Sequence, residues 1–445
     1  MDSEEASERH GSAPVDAVLV ATTSTNLPVG QPTVLRRVGG VTLLHRALAS
    51  LQRAGVRRVV VVAGQRSERL QAALRTEPLD VELVVDPDRQ HGTAAAVAVG
   101  LARVDSDRCL VIMGDHVFES SDVRRLLAAP GRNVLAVDRD PGRQVGGMAG
   151  RLPLRADLAP DGSVRALGTR PAADGDAADN IRVVDAGLTV AYREDLLAVA
   201  PTAPDASWAH WRRRLVDEGA GLTSSEVTGL WASLDSADDV RGLERAMWRR
   251  YGPKPTDGIV ARLVNRRISG PLTRQLLRTG MHPDVATVLA FTVTLLAAGL
   301  LGWGNRWSML AGGLGVVLGS ALDGVDGEIA RVSGRASRRG ATLDTLLDRY
   351  ADLAVVLGLV VGAGATPTTW AWGFAAACGC LLVSYVHAVG RDTDVRLLFR
   401  REFRLLIFAV AAVAGTPLWG LVVVAVAANA DVVRGVVLLL RALHR

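Results

Sequence analysis

The chain has 445 residues, 49% of them hydrophobic, with a formal net charge of +5 and a mean hydropathy of +0.22. That length excludes one ordinary domain, and that hydropathy is high for a wholly soluble protein. The three cysteines, Cys109, Cys378 and Cys380, are odd in number and sit in apolar contexts. They exclude a disulfide-stapled scaffold and suit free thiols in a reducing compartment.

Hydrophobicity is uneven along the chain. Residues 1–280 carry charges throughout, whereas residues 283–441 contain long apolar runs. Residues 1–14 are polar and acidic and read as a disordered tail rather than a signal peptide. Strands are expected over Val15–Ala21, Arg58–Val62, Val81–Val85 and Cys109–Met113. Helices are expected over Leu43–Arg53, Glu68–Leu74 and Thr93–Ala102. This alternation predicts an α/β, Rossmann-like soluble domain over residues 15–250, with a parallel sheet covered on both faces. Ligands bind such sheets at the carboxyl ends of the strands. Trp208 and Trp211 stand three apart and read as core. Pro171–Asn180 reads as a surface loop, and Arg212-Arg213-Arg214 as a solvated helix face. Lys254 is the only lysine.

Residues 251–282 form a joint. Tyr251–Gly258 breaks the preceding helix. Beyond it, Ile259, Leu263, Ile268, Leu272 and Leu276 recur among Arg262, Arg266, Arg267 and Arg274. This pattern predicts a basic amphipathic helix on the cytoplasmic membrane surface, interrupted at Gly270-Pro271. Residues 283–445 read as an all-α integral membrane domain of six transmembrane helices, at about 284–304, 307–330, 341–364, 367–390, 402–416 and 418–440;. Arginine crowds the segment before the first span, the second-to-third and fourth-to-fifth loops, and the end of the chain. The opposite loops hold only Arg306 or no charge. Both termini are therefore expected in the cytoplasm.

Four carboxylates lie at that cytoplasmic end. Asp323 and Asp326 are three apart and share one helix face; Asp344 and Asp348 are four apart and share another;. A carboxylate at membrane depth costs roughly 2.5–3.5 kcal/mol on insertion scales, and unpaired like charges resist joint ionisation. One or two divalent cations resolve both problems. Gly327 and Gly340 allow close approach of a ligand, and Arg331, one turn beyond Asp326, is placed to meet a phosphate.

The full pattern is Asp-x2-Asp-Gly-x2-Ala-Arg-x8-Gly-x3-Asp-x3-Asp from Asp323 to Asp348. It resembles the CDP-alcohol phosphotransferase family of six-helix membrane enzymes. The resemblance implies transfer of a substituted phosphate from a CDP-linked donor to an acceptor hydroxyl, with release of CMP. It implies two ions, Mg²⁺ or Mn²⁺, held by Asp323, Asp326, Asp344 and Asp348, with Asp348 as catalytic base. It places the CDP moiety against Asp323, Gly327, Ala330, Arg331, Ser337 and Gly340. It also implies a homodimer among membrane lipids, with no nucleic-acid partner. In the lipid-synthesising branch a Ser-Tyr-x-Arg-Ala-Arg stretch follows the fourth span; here it reads Ser384-Tyr385-Val386-His387-Ala388-Val389. Arg391, Arg401 and Arg404 remain as candidate anchors for an anionic acceptor.

Within residues 15–245, Arg89-Gln90-His91-Gly92-Thr93, Met113-Gly114-Asp115-His116 and Leu234-Asp235 resemble the nucleotidyltransferase family that makes NDP-sugars and CDP-alcohols. The resemblance places a nucleotide site at Gln90, Gly92, Thr93, Asp115 and Asp235. The first loop departs from that family. Thr22 and Ser24 replace glycines, Asn26 an arginine and Thr33 a lysine, so the site is expected to be vestigial. The fusion as a whole resembles the bifunctional inositol-1-phosphate cytidylyltransferase and di-myo-inositol-phosphate-phosphate synthase family. The leading expectation is a membrane CDP-alcohol phosphotransferase with a degenerate first domain. Its alternatives are a working bifunctional enzyme that also makes the donor from CTP and a phosphorylated alcohol, and a non-catalytic scaffold or transporter.

Overall fold

The computed structural model describes residues 15–21, 33–64, 67–75, 77, 79–86, 92–140, 154–168, 181–234, 237–252, 266–390, 393 and 395–443. The chain divides into two compact units, Met1–Met247 and Trp248–Arg445.

The first unit begins with β1 (Asp16–Val20), β2 (Arg37–Val38), β3 (Val41–Thr42), α1 (Leu43–Ala54), β4 (Arg58–Ala63), α2 (Glu68–Leu74) and β5 (Asp80–Val85). It continues through α3 (Thr93–Leu101), β6 (Arg108–Met113), β7 (His116–Val117), α4 (Ser120–Ala128), β8 (Asn133–Asp138), β9 (Arg155–Leu158) and β10 (Val164–Gly168). It closes with β11 (Ile181–Tyr192), α5 (Arg193–Ala198), α6 (Trp208–Asp217), β12 (Leu222–Glu226) and β13 (Ala232–Ser233). Helix α7 (Ala237–Tyr251) runs across the boundary.

Strands β6, β1, β4 and β5 lie side by side in parallel, with Ala17 level with Leu110 and Val59. Their side chains alternate between two cores, as the two-residue period of a strand requires. Ala17, Leu19, Val59, Val61, Leu110 and Ile112 pack with α1 and α4 residues. Val18, Val20, Val60, Val62 and Val111 pack with Val97, Leu101, Trp208 and Trp211 from α3 and α6. The two tryptophans meet edge to face at 5.7 Å, as core residues.

Two expectations are corrected in this unit. The sheet is mixed, because β11 runs antiparallel to β6, β8 and β9. Its core residues are buried on both faces, so no alternation in the sequence announces it as a strand or gives its direction. Arg212 is 4% exposed rather than solvated. It pairs with Asp185 at 2.7 Å and lies over Trp208, which makes it the counter-charge of a buried acid. The Pro171–Asn180 stretch lies outside the described residues.

The second unit is helical: α8 (Arg266–Thr279), α9 (Pro283–Trp303), α10 (Arg306–Ser333), α11 (Arg338–Gly362), α12 (Pro367–Val389), α13 (Arg401–Val413) and α14 (Pro417–Leu443). The ends are set by local chemistry. Side chains of His282, Asn305, Ser337 and Thr366 cap the starts of α9, α10, α11 and α12, each satisfying an amide that has no partner within the helix. Among the described residues, α9, α10, α12 and Pro417–Ala442 of α14 are long and apolar enough to cross a membrane. Helix α11 opens with charged turns. Helix α13 has 13 residues, about 20 Å at roughly 1.5 Å per residue, against a hydrocarbon core of about 30 Å.

Helix α8 is continuous through Pro271, so the break expected at Gly270-Pro271 is absent. Its buried residues Ser269, Thr273 and Leu277 recur every four positions and make one face that packs on α10. Helices α9 and α11 approach closely because α11 carries Gly358 and Gly362 one turn apart. A methyl group at Gly358 would stand 2.3 Å from the Ala298 carbonyl oxygen, and one at Gly362 2.1 Å from that of Leu301. Small residues at this spacing are a common route to close helix contact in membranes. We predict that Gly358→Val forces α11 away from α9 and destabilises the unit by about 1–3 kcal/mol, read as a lowered unfolding midpoint in detergent.

Candidate metal centre

Helices α10 and α11 bring the spaced acids together. One carboxylate oxygen from each of Asp323, Asp344 and Asp348 lies within 4.8 Å of the others. Asp326 stands beside this trio and outside it. It is 6% exposed, its Oδ2 accepts from the Thr287 hydroxyl of α9, and Asp344 and Asp323 are its carboxylate neighbours. Helix α9 thus orients the fourth acid of the pattern.

The trio has a counter-charge from α13. Arg401 Nη1 lies 2.9 Å from Asp323 Oδ2 and 2.8 Å from Asp348 Oδ1, bridging the two helices. Its Nε donates to Asp352 Oδ1 at 2.9 Å. Arg404 is 2% exposed; it donates to the Cys380 carbonyl at 2.8 Å and faces Asp352 at 3.6 Å. Both arginines expected to face an acceptor anion are therefore engaged with acids of this chain, and Arg404 is enclosed. Arg391, the third, lies outside the described residues.

The positions expected to line CDP sit at one end of the same helices. Ser337 Oγ accepts from the Gly340 amide at 3.0 Å. A methyl group at Gly340 would stand 3.2 Å from both Ser337 Oγ and Asp284 Oδ1, so a side chain here would crowd the start of α9. Gly327 lies under Arg331: a methyl group there would be 3.0 Å from Nη1. Arg331 Nε and Nη2 donate to the Tyr251 and Gly252 carbonyls, each at 2.8 Å. Ala330 is half-buried on the same turn. Two residues without a sequence assignment belong to this frame. Asp352 lies one turn beyond Asp348, a spacing that could have flagged it. Glu328, 0% exposed, accepts from Ser269 at 3.2 Å and Thr273 at 2.7 Å on α8.

Three converging carboxylates supply hard oxygen donors, the ligand type that Mg²⁺ and Mn²⁺ prefer. Asp326 and the Thr287 hydroxyl add oxygens beside them, and Arg401 Nη1 sits against the oxygens of Asp323 and Asp348. The donor set fits a divalent cation.

In the first unit, Gly92 is the N-cap of α3 and Thr93 its first residue, and Thr93 Oγ1 accepts from the Trp208 amide at 2.8 Å. Asp115 follows β6 and hydrogen-bonds His116 Nδ1 at 2.6 Å. Burial opposes a charge on His116, but the Asp115 carboxylate outweighs it and raises the imidazole above its ordinary pKa. Gln90, Asp235 and the loop holding Thr22, Ser24 and Asn26 lie outside the described residues. Thr33 is buried in a short 3-10 turn.

Comparison with known proteins gives matches to both units. Residues 17–240 match the MobA-like NTP transferase domain family, and residues 281–397 match the CDP-alcohol phosphatidyltransferase family. A bifunctional IPC transferase and DIPP synthase of Rubrobacter xylanophilus is 34% identical over 93% of this chain and 93% of its own. The enzyme of the same description from Thermococcus kodakarensis is 28% identical over 80% of this chain and 78% of its own. A phosphatidylinositol phosphate synthase of Mycobacteroides abscessus is 33% identical over 35% of this chain and 73% of its own.

Removing an outer-shell partner of a metal ligand typically lowers metal affinity 10–100-fold. Thr287→Val, which deletes the hydroxyl that orients Asp326, is expected to weaken Mn²⁺ binding about tenfold, whereas Thr287→Ser preserves it. Titration of the purified protein with Mn²⁺ checks both.

Proposed function

We propose, from the premise that this chain belongs to the bifunctional IPC transferase and DIPP synthase family, that its second unit is a metal-dependent CDP-alcohol phosphotransferase whose reaction centre is Asp323, Asp326, Asp344 and Asp348. The observation that carries the reading is the convergence of Asp323, Asp344 and Asp348 within 4.8 Å, inside the stretch that matches the phosphatidyltransferase family.

The chemistry follows from what these residues can do. Gly327 and Gly340 leave room for the CDP diphosphate, Ser337 offers a hydroxyl, and Arg331 offers a cation for phosphate oxygens. Asp348 accepts the proton of the acceptor hydroxyl as its oxygen bonds to the β-phosphorus of the donor. The bond from that phosphorus to the bridging oxygen breaks, and CMP leaves with the electron pair. Two divalent ions, Mg²⁺ or Mn²⁺, when held by the four aspartates, offset charge on the diphosphate and make the attacking hydroxyl more acidic. A carboxylate is a weak base in water, and this help is what lets Asp348 serve.

The arrangement in the membrane follows from charge and length. Six crossings, with α11 and α13 joining the four apolar helices, put both ends of the chain and the aspartates on the cytoplasmic side, where arginine concentrates. A basic amphipathic α8 on that surface and a homodimeric assembly complete the reading. The acceptor is a polar alcohol such as an inositol phosphate, or a lipid alcohol.

A second reading is favoured by the whole-chain likeness to bifunctional relatives: the first unit makes CDP-inositol from CTP and inositol 1-phosphate. The substitutions at Thr22, Ser24, Asn26 and Thr33 remove the glycines and cations that cradle a triphosphate in such loops, and Arg36 and Arg37 are the cations left nearby.

Purified protein supplied with CDP-inositol, inositol phosphate and Mg²⁺ is expected to release CMP, and Asp348→Asn to lower the rate by at least 100-fold, within the span that a general base contributes. Full activity in that variant would remove Asp348 from its role. For the second reading, CTP and inositol 1-phosphate are expected to yield pyrophosphate, and Asp115→Asn to abolish it. Absence of pyrophosphate in the wild type would leave the first unit without catalysis.

A further inference from the structure

Asp352 belongs to no part of the Asp323–Asp348 pattern, yet it is 2% exposed and three guanidiniums face it. Arg401 Nε is 2.9 Å from its Oδ1. Arg404 Nη2 and Arg349 Nη1 stand 3.6 and 3.8 Å from its Oδ2, an atom that is buried without a hydrogen bond. Arg404 Nη1 and Arg349 Nη1 are tied to the Cys380 carbonyl and the Ser384 hydroxyl on α12. Arg349 Nη2 also reaches the trio, 3.4 Å from Asp348 Oδ2, but Arg401 is the one guanidinium of the three that bridges two of its acids, and it does so through Nη1, away from its Asp352 contact.

That geometry gives Arg401 two opposed effects. Lying between Asp323 and Asp348, it screens two like charges and keeps the acids assembled. It also occupies carboxylate oxygens that a cation needs. An arginine that released both acids with no other partner would be a buried, unpaired charge, which is strongly unfavourable. Asp352 removes that obstacle, because its bond to Nε persists when Nη1 lets go.

We propose that Asp352 is a positioning residue that holds Arg401 by its Nε edge, so that the guanidinium serves as an internal counter-cation and hands Asp323 and Asp348 over to a divalent ion. The inference rests on the metal-centre reading above. It goes beyond that reading by making cation affinity depend on a residue outside the acidic pattern. Among the described residues, Asp352→Asn leaves Arg401 with no carboxylate partner except the trio, so Arg401 competes harder with the ion. Arg401→Gln removes the competitor.

The test is Mn²⁺ binding by the full-length protein in detergent, with free Mn²⁺ counted by electron paramagnetic resonance and the trio's share defined as the binding lost in Asp344→Asn. Asp352→Asn is expected to weaken that share about tenfold, a displacement of the size seen when metal-site supporting residues are lost. Arg401→Gln alone is expected to bind Mn²⁺ several-fold more tightly than the wild type. Adding Arg401→Gln to Asp352→Asn restores affinity, whereas adding Arg404→Gln, an equal change of charge on a residue that does not touch the trio, does not. A purely structural role would lower the unfolding midpoint of Asp352→Asn without this pattern. Wild-type affinity in Asp352→Asn, equal restoration by Arg404→Gln, or weaker or unchanged binding in Arg401→Gln overturns the inference. Where Asp352→Asn does not fold, the comparison of Arg401→Gln with wild type decides it. A wild-type chain that binds no Mn²⁺ at the trio contradicts the metal centre itself, and the handover with it.

Discussion

The second unit is organised around a repulsion. Three carboxylates are held within 4.8 Å on α10 and α11, in partly buried surroundings where both desolvation and like charge oppose ionisation. The surrounding structure answers that repulsion at each point. Helix α13 sends Arg401 between Asp323 and Asp348, α9 sends Thr287 to Asp326, and α11 adds Asp352 behind Arg401. The glycines of α11 that admit α9 are part of the same solution, because they bring the Thr287 helix within reach. A divalent cation in Arg401's place would supply the same positive charge, which is what a diphosphate donor requires.

Much of this site was legible in the sequence because helical periodicity converts spacing into direction. Asp323 and Asp326, and Asp344 and Asp348, had to share faces, and the short basic loop between the helices let the faces meet. Other features were not legible. Arg401 and Arg404 read as anchors for an external anion because the sequence does not say that Asp352 lies across from them. The same gap made Arg212 look solvated when it is paired with Asp185 inside the first unit. In each case an arginine's partner is distant in the chain, and charge alone gives no hint of it. Strand β11 went unread for a related reason: a strand buried on both faces carries no alternation. Pro271 misled in the opposite direction. It sits inside α8, where a proline gives up one intrahelical hydrogen bond without ending the helix.

The two units bear on one nucleotide chemistry. The family joins an enzyme domain of the kind that forms a CDP-alcohol to one of the kind that consumes it. In this chain the second unit carries every residue of the acidic pattern, while the first unit has Thr22, Ser24, Asn26 and Thr33 in its first loop and Asp115 engaged with His116.

The most direct measurement is anomalous diffraction at the manganese edge from crystals of the protein grown with Mn²⁺ and a CDP-linked donor. The account predicts anomalous density among Asp323, Asp344 and Asp348, with the donor's diphosphate against it and Gly327 and Gly340 beneath. Density at another cluster, or a diphosphate bound away from these aspartates, would contradict it.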